Sequence, residues 1–280
     1  MSYLVSVDWL KKQLENQTDD TVVVDVRFSL KEPDAGRKAY EQGHIPGAMY
    51  LDLNKDLSSP KREHGGNHPL PDTETFAERL GEIGIDHQTI VIIYDESNDM
   101  FAARLWWLLD YMGHEKTYLL DGGIKRWMEK GNVVTTDIPV PIMRSFQPAV
   151  KEDKKVDIND VKDKLKDKSA LLIDSRSKDR YLGKNEPMYA KSGHIPGAKN
   201  FFWKDVLQED GLWKNGEALQ SNFTKLDKDD EIIVSCGSGV SACPNVIALK
   251  AAGYKNVKLY PGSYSDWISY EENQVETKEE

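Results

Sequence analysis

The hexapeptide GHIPGA stands at Gly43–Ala48 and again at Gly193–Ala198, and an identical match of that length inside one chain of 280 residues points to two copies of one plan. The flanks agree. VVVDVR at Val22–Arg27 parallels LLIDSR at Leu171–Arg176, and VDWLKKQL at Val7–Leu14 parallels INDVKDKL at Ile158–Leu165, all at an offset near 150. Farther on, IVIIYDESNDMFAARLWWLL at Ile90–Leu109 faces EIIVSCGSGVSACPNVIALK at Glu231–Lys250, and Trp127 faces Trp267, now at offsets of 141 and 140. The change in offset places about nine extra residues in the first copy. They fall near NKDLSSPKREHGGNHPLP, Asn54–Pro71, whose Pro, Gly, Ser and Asn content is that of a surface loop.

Each copy has the size of one domain. The expected division is 1–138 for the first, 139–156 for a linker in which Pro139, Pro141 and Pro148 interrupt any helix or central strand, and 157–280 for the second. Within the first copy, the periodicity predicts a helix over Val7–Leu14 with Ser6 as N-cap and a β-branched strand at Val22–Val26. A capped helix in PDTETFAERL precedes a buried strand at Ile90–Tyr94, a helix over Phe101–Tyr111, a short strand at Tyr118–Leu120 and a closing helix around Trp127. Short apolar strands alternating with helices describe an α/β class: two similar domains, each a mostly parallel sheet with helices on both faces. In such sheets ligands bind beyond the carboxyl ends of the strands.

Composition narrows the partners. A net charge of −10 opposes nonspecific binding to nucleic acid, and no apolar run approaches a membrane span. The N-terminal residues lack the features of a secretory signal, and two cysteines are too few for a disulfide scaffold or a four-cysteine zinc site. A cytoplasmic protein with neither nucleic-acid nor membrane partners is expected. An anionic substrate would need basic groups close at hand.

The second copy carries the chemistry, in IIVSCGSGVSACP at Ile232–Pro244. A strand runs into a glycine turn and then a helix. Gly237-x-Gly239-x-x-Ala242 fits part of a dinucleotide-binding turn, but no acidic ribose-binding residue follows at the required distance and the turn is not in a first βαβ unit. Small residues after Cys236 allow successive amides to turn inward at a helix N-terminus, an arrangement that favours a negative sulfur. A cysteine phosphatase would need arginine where Ala242 stands, and neither copy has the local signature of a papain-like protease. Sulfur transfer through a persulfide on Cys236 remains.

With GHIPGA twice, DSR…RYLG before the second, and CGSGVSA before YPGSYSDW, nearly the whole chain resembles the rhodanese family, specifically its tandem-domain thiosulfate and 3-mercaptopyruvate sulfurtransferases. The resemblance implies two rhodanese-like domains, a silent first one and a catalytic second one. The position opposite Cys236 is Asp95, which cannot carry sulfane sulfur. By motif, Cys236 is the nucleophile and Gly237, Ser238, Gly239, Val240 and Ser241 complete the loop, while Arg180 binds the anionic donor. A relay of the mercaptopyruvate type would map onto Ser238, His68 and a carboxylate; Asn54 occupies the acidic position, leaving Asp52 or Asp56 as partner of His68. The donor is 3-mercaptopyruvate or thiosulfate, with the uncharged loop tilting toward the former. Met188 and Lys191 stand where mercaptopyruvate enzymes often carry a second arginine. The acceptor would be cyanide, a small thiol or a thioredoxin-like protein, and no metal or organic cofactor is implied.

A noncatalytic sulfur carrier or regulatory binding module is the alternative, one that would not need an intact nucleophile. His44 and His194 recur in both copies and are read as structural. Asp25 and Asp174 are read as loop braces, and Trp106 and Trp107 as core or domain interface. Cys243 is seven residues after Cys236, expected two helical turns along the same face, and is read as a packing cysteine.

Overall fold

The computed structural model describes residues 3–16 and 20–278. The first half of the chain forms β1 (Leu4–Val5), α1 (Val7–Glu15), β2 (Thr21–Asp25), α2 (Ala35–Gln42), β3 (Met49–Tyr50), α3 (Thr73–Glu82), β4 (Ile90–Tyr94), α4 (Met100–Tyr111), β5 (Thr117–Leu120) and α5 (Gly123–Glu129). The expected Ser6 cap is present, its hydroxyl accepting from the Trp9 amide at 3.2 Å. The five strands are all parallel in the order β1-β5-β4-β2-β3. Right-handed crossovers then put α1 and α2 on one face and α3 and α4 on the other, because the chain steps across the sheet in opposite directions. One face buries Val7, Leu10, Val23, Ile92, Ile124 and Trp127 together. On the other, α4 is buried almost all round, Trp106 and Trp107 included, as a helix covered on several sides must be.

The second half repeats the plan with β6 (Leu171–Asp174), β7 (Lys199–Asn200), β8 (Ile232–Ser235) and β9 (Val257–Leu259) in a parallel sheet ordered β7-β6-β8-β9. Its helices are α6 (Ile158–Asp167), α7 (Lys178–Tyr181), α8 (Gly216–Gln220), α9 (Cys243–Ala251) and α10 (Ser263–Trp267). The place of β1 is taken by a single parallel bridge between Lys155 and Leu259. Every residue of β8 is buried, so this central strand is a continuous apolar run that delivers its carboxyl end to the site.

The repeated hexapeptide has the same structural duty in both halves. His44 stacks on Tyr40 at 3.9 Å and His194 on Tyr181 at 3.7 Å, and each Nδ1 lies 2.7 Å from the carbonyl of that tyrosine. Each tyrosine hydroxyl in turn donates to the last residue of its hexapeptide, Ala48 or Ala198. Asp25 and Asp174 brace the next loop, receiving the side chains of Arg27 and Arg176, which also donate to the carbonyls of Gly43 and Gly193.

By compactness the chain forms two units, and neither is continuous in sequence. The first comprises 1–59, 71–151 and 209–213; the second comprises 60–70, 152–208 and 214–280. Residues 60–70 therefore belong structurally with the half that contains Cys236, and residues 209–213 with the half that does not. No helix among the described residues is long and apolar enough to cross a membrane.

Candidate active site

Cys236 follows the last residue of β8, with 1% of its surface exposed, and is a free thiol. The chain turns sharply behind it. Gly239 adopts φ +75°, and a Cβ there would lie 2.2 Å from the Pro261 carbonyl oxygen, so only glycine fits. The turn points the Gly239 amide back at the sulfur, N to Sγ 3.2 Å. Gly237 is also confined, since a Cβ would come within 2.7 Å of the Tyr189 hydroxyl. Gly237, Gly239 and Val240 are buried, while Ser238 and Ser241 are half-buried along the outer side of the turn.

The turn is held from below by the segment after β9. The Cys236 amide donates to Ser263 Oγ at 3.0 Å, and the Ser263 hydroxyl donates to the Tyr260 carbonyl at 2.7 Å. The amides of Tyr264 and Ser265 donate to the carbonyls of Cys236 and Gly237. Ser263 has φ +53°, a left-handed conformation that costs a non-glycine residue about 1 kcal/mol or more. α9 begins only at Cys243, so residues 236–242 are turn and the two cysteines are not two helical turns apart on one face, contrary to expectation. The glycines that aim an amide at Cys236 also keep this stretch from being helical. Cys243 is buried and donates its thiol to the Gly239 carbonyl at 3.3 Å, so the residue whose amide meets Cys236 also holds Cys243.

Residues 64–68 of the second unit lie along α10 and the turn. His64 Nδ1 lies 2.8 Å from Ser269 Oγ, the Gly65 amide donates to Asp266 Oδ1 at 2.7 Å, and the Asn67 amide donates to Ser265 Oγ at 3.0 Å. These anchors bring His68 Nδ1 to 2.8 Å from Ser238 Oγ. Asp52 and Asp56, the carboxylates expected as relay partners, are engaged in the first unit: Asp52 accepts the amides of Asn54 and Lys55, and Asp56 accepts the Asp52 amide and the Arg79 guanidinium.

Arg180, on α7, points its guanidinium across the Tyr189 ring at 5.4 Å from the centroid, and it is through Tyr189 that it adjoins Gly237. Burial, and then the neighbouring Cys236, hold the Tyr189 phenol above its ordinary pKa, against the opposing pull of Arg180, so it stays an O–H donor. Glu186 grips Arg180 with both oxygens and also accepts from Arg176 Nη1. Met188 is exposed, and Lys191 donates to the Glu271 carbonyl. A cavity of about 290 Å³ borders this wall, lined among others by Lys61, Arg62, Gly66, Tyr189, Ser265 and Ile268. Among the described residues no group of three or more His, Cys, Asp or Glu side chains is arranged to hold a metal ion.

A model of the rhodanese-like domain matches residues 6–130 and again 157–270. The chain belongs to the rhodanese-like family. A probable 3-mercaptopyruvate sulfurtransferase of Pseudomonas aeruginosa is 38% identical over 255 residues, covering 89% of this chain and 90% of its own length. Thiosulfate sulfurtransferase of Cricetulus griseus is 32% identical over 276 residues, covering 95% and 91%. The crystal structure of Escherichia coli SseA, described as a 3-mercaptopyruvate sulfotransferase of rhodanese fold, aligns with a TM-score of 0.82 at 32% identity, covering 95% of this chain and 100% of that one. This rhodanese-like chain is a sulfurtransferase enzyme.

Three residues around the rhodanese-like turn escaped sequence reasoning. Ser263 was hidden because serine seldom adopts positive φ; the glycine at its counterpart, Gly123, was the available signal. Tyr189 and Glu186 lie in NEPMYAKSGH, where the family pattern directs attention to Met188 and Lys191 in the place of a second arginine. A glutamate six residues after an arginine, in a stretch without helical periodicity, leaves no pattern to read.

Proposed function

We propose that Cys236 carries the transferred sulfur as a persulfide, taken from 3-mercaptopyruvate or thiosulfate. The Cys236 thiolate attacks the donor's sulfur and the Cys236 S–S bond forms. The donor's own bond to that sulfur breaks with its electron pair on the departing group, which leaves as the enolate of pyruvate, then protonated, or as sulfite. An acceptor nucleophile next attacks the outer sulfur, and the S–S electrons return to Cys236. The observation that carries this reading is the Gly239 amide aimed at a buried thiol, which steadies negative charge on sulfur through donor attack and acceptor release.

In this reading Arg180 anchors the donor's anionic end beside Tyr189, and the loop residues Gly237, Gly239, Val240 and Ser241 shape the pocket. The Ser238–His68 pair supplies or removes the proton at the departing group. The acceptor is cyanide, a small thiol or a thioredoxin-like protein, and the two free cysteines favour work in the reducing cytoplasm. The domains divide near the proline-rich connection, with the catalytic one starting about residue 157. Mass spectrometry after incubation with each donor tests the central claim: one sulfur atom is gained by the intact protein and none by Cys236→Ser. No gain from either donor would leave a noncatalytic binding module. Comparing kcat/KM in Arg180→Ala tests the anchor, and unchanged values for both donors would remove it.

A further inference from the structure

Arg180 is the outer end of a row of four alternating charges that is peculiar to the second copy. Asp174 Oδ2 pairs with Arg176 Nη2 at 2.6 Å, Arg176 Nη1 with Glu186 Oε2 at 3.1 Å, and Glu186 Oε1 with Arg180 Nη2 at 2.9 Å. The side chains of Arg176 and Glu186 are wholly buried and that of Asp174 nearly so, whereas Arg180 is 21% exposed. The row sums to zero. In the first copy, Arg27 pairs with Asp25 as Arg176 does with Asp174, but its Nη1 lies 4.0 Å from Glu96, whose side chain is 56% exposed.

Glu186 takes hold of Arg180 along one edge. The bonds run from Nε to both oxygens at 3.2 and 3.0 Å and from Nη2 to Oε1, and the Met188 amide fixes the same carboxylate from behind at 3.0 Å. Among the described residues, Nη1 is the part of this guanidinium that no bond occupies. A carboxylate held in this way has two effects. It removes the rotational freedom of a long side chain, so that Nη1 is presented in one place, and it cancels the charge that Nη1 would otherwise offer. The five loop residues after Cys236 add no side-chain charge.

We infer that Glu186 is a positioning and charge-balancing residue: it presents Arg180 Nη1 to a single carboxylate and makes the centre favour monoanionic sulfur donors over dianionic ones. The inference rests on the proposal that Arg180 anchors the donor. A monoanion can satisfy Nη1 with one carboxylate. A dianion brings a second charge to a centre whose fixed charges already balance, and Lys61 and Arg62, which line the adjoining cavity, are exposed and screened.

The test compares kcat and KM for 3-mercaptopyruvate and thiosulfate in the intact enzyme, Glu186→Gln and Glu186→Asp. Glu186→Gln should raise KM for 3-mercaptopyruvate about tenfold while kcat changes less, and should shift the ratio of kcat/KM values toward thiosulfate by about fivefold or more. Glu186→Asp, which keeps the charge but shortens the reach, should weaken both donors and leave the ratio where it was. A merely structural role would lower both donors in parallel in the Gln variant, and that parallel loss overturns the inference. The unaltered enzyme supplies a check that needs no variant to fold: pyruvate should compete with the donor more strongly than malonate does, and equal or stronger competition by malonate overturns the inference too. Arg180→Ala separates the two levels. If it leaves both donors unaffected, the anchor itself is wrong; if it weakens both while the Glu186→Gln ratio stays fixed, only the charge balance is wrong.

Discussion

The turns after β4 and after β8 are built on one design and loaded differently. Behind β8 the cradle holds a sulfur, with the Gly239 amide 3.2 Å away. Behind β4 the equivalent residue is Asp95, whose carboxylate accepts the amides of Asp99 and Ala102 at 2.8 and 3.0 Å. The first turn thus fills its own anion hole with a side chain it cannot release. Gly239 corresponds to Asn98, which bears φ +59° because its side chain is tied to Asp121 Oδ1, the Gly211 carbonyl and the Gly122 amide. Ser263 corresponds to Gly123, so at this point the strain-free residue is in the copy without the cysteine. A duplicated fold keeps the backbone cradle and changes what occupies it.

Exchanging the occupants should produce the largest effect. Cys236→Ser should lower sulfurtransferase activity by roughly a thousandfold or more, as losing a nucleophile does. Asp95→Cys placed in that background should gain no sulfur by mass spectrometry, since Glu96 and Asn98 replace the two glycines that shape the other turn. A persulfide at position 95 would show that the cradle alone is sufficient.

The backbone at the third position after each occupant comes next. Gly239→Ala combines a positive φ with a contact at 2.2 Å to the Pro261 oxygen and should cost about 3 kcal/mol or more, read from denaturant midpoints. Asn98→Gly keeps its backbone at ease but loses three hydrogen bonds, for about 1–3 kcal/mol. If Gly239→Ala melts like the parent, close packing does not define the turn after Cys236.

A smaller pair sharpens the contrast beneath the turns. In Gly123→Ser, the new Cβ would stand 2.5 Å from the Asp95 oxygen, with an expected loss of about 2 kcal/mol. Ser263→Gly removes the strain together with the hydroxyl's bonds to the Cys236 amide and the Tyr260 carbonyl, so stability should move by less than about 1 kcal/mol while kcat/KM falls roughly tenfold. Equal stability losses at the two sites would mean that the copies do not differ there.

A pH slope tests the first turn by itself. Burial, with Asp99 nearby, lifts the Asp95 carboxyl from 3.8 to about 7. Because the folded state holds this proton more tightly than the unfolded one, the associated stability is complete below about pH 4 and is lost as pH rises through about 7. Relative to Asp95→Asn, the parent should therefore lose a few degrees of Tm between about pH 5 and about pH 8. A constant difference across that range would place the Asp95 ionisation elsewhere.

Much of this architecture could be read from residue order alone. Ile90–Tyr94 is a strand at the bounds its apolar run predicts, and Ser6 caps α1 as its place before Val7 requires. The rhodanese fold and the sulfurtransferase activity followed from motifs that are contiguous in sequence. What was not legible was held by contacts far apart in the chain. The association of residues 60–70 with the second unit rests on backbone amides of Gly65 and Asn67 meeting side chains some 200 positions later, and an amide has no residue-specific signature. Glu186 was illegible for a related reason, since a carboxylate between two arginines becomes visible only once the turn at Gly183 has folded.

The placement of residues 60–70 bears on how such a chain can evolve. A repeated half without a cysteine would ordinarily be free to drift or be deleted. Here the half with Asp95 encodes the histidine that meets Ser238, and the half with Cys236 encodes Gly211, which Asn98 grips in return. Each half is the keeper of a piece its sister needs. A gene cut at the proline-rich connection would therefore yield two products, each lacking a segment that belongs structurally with it.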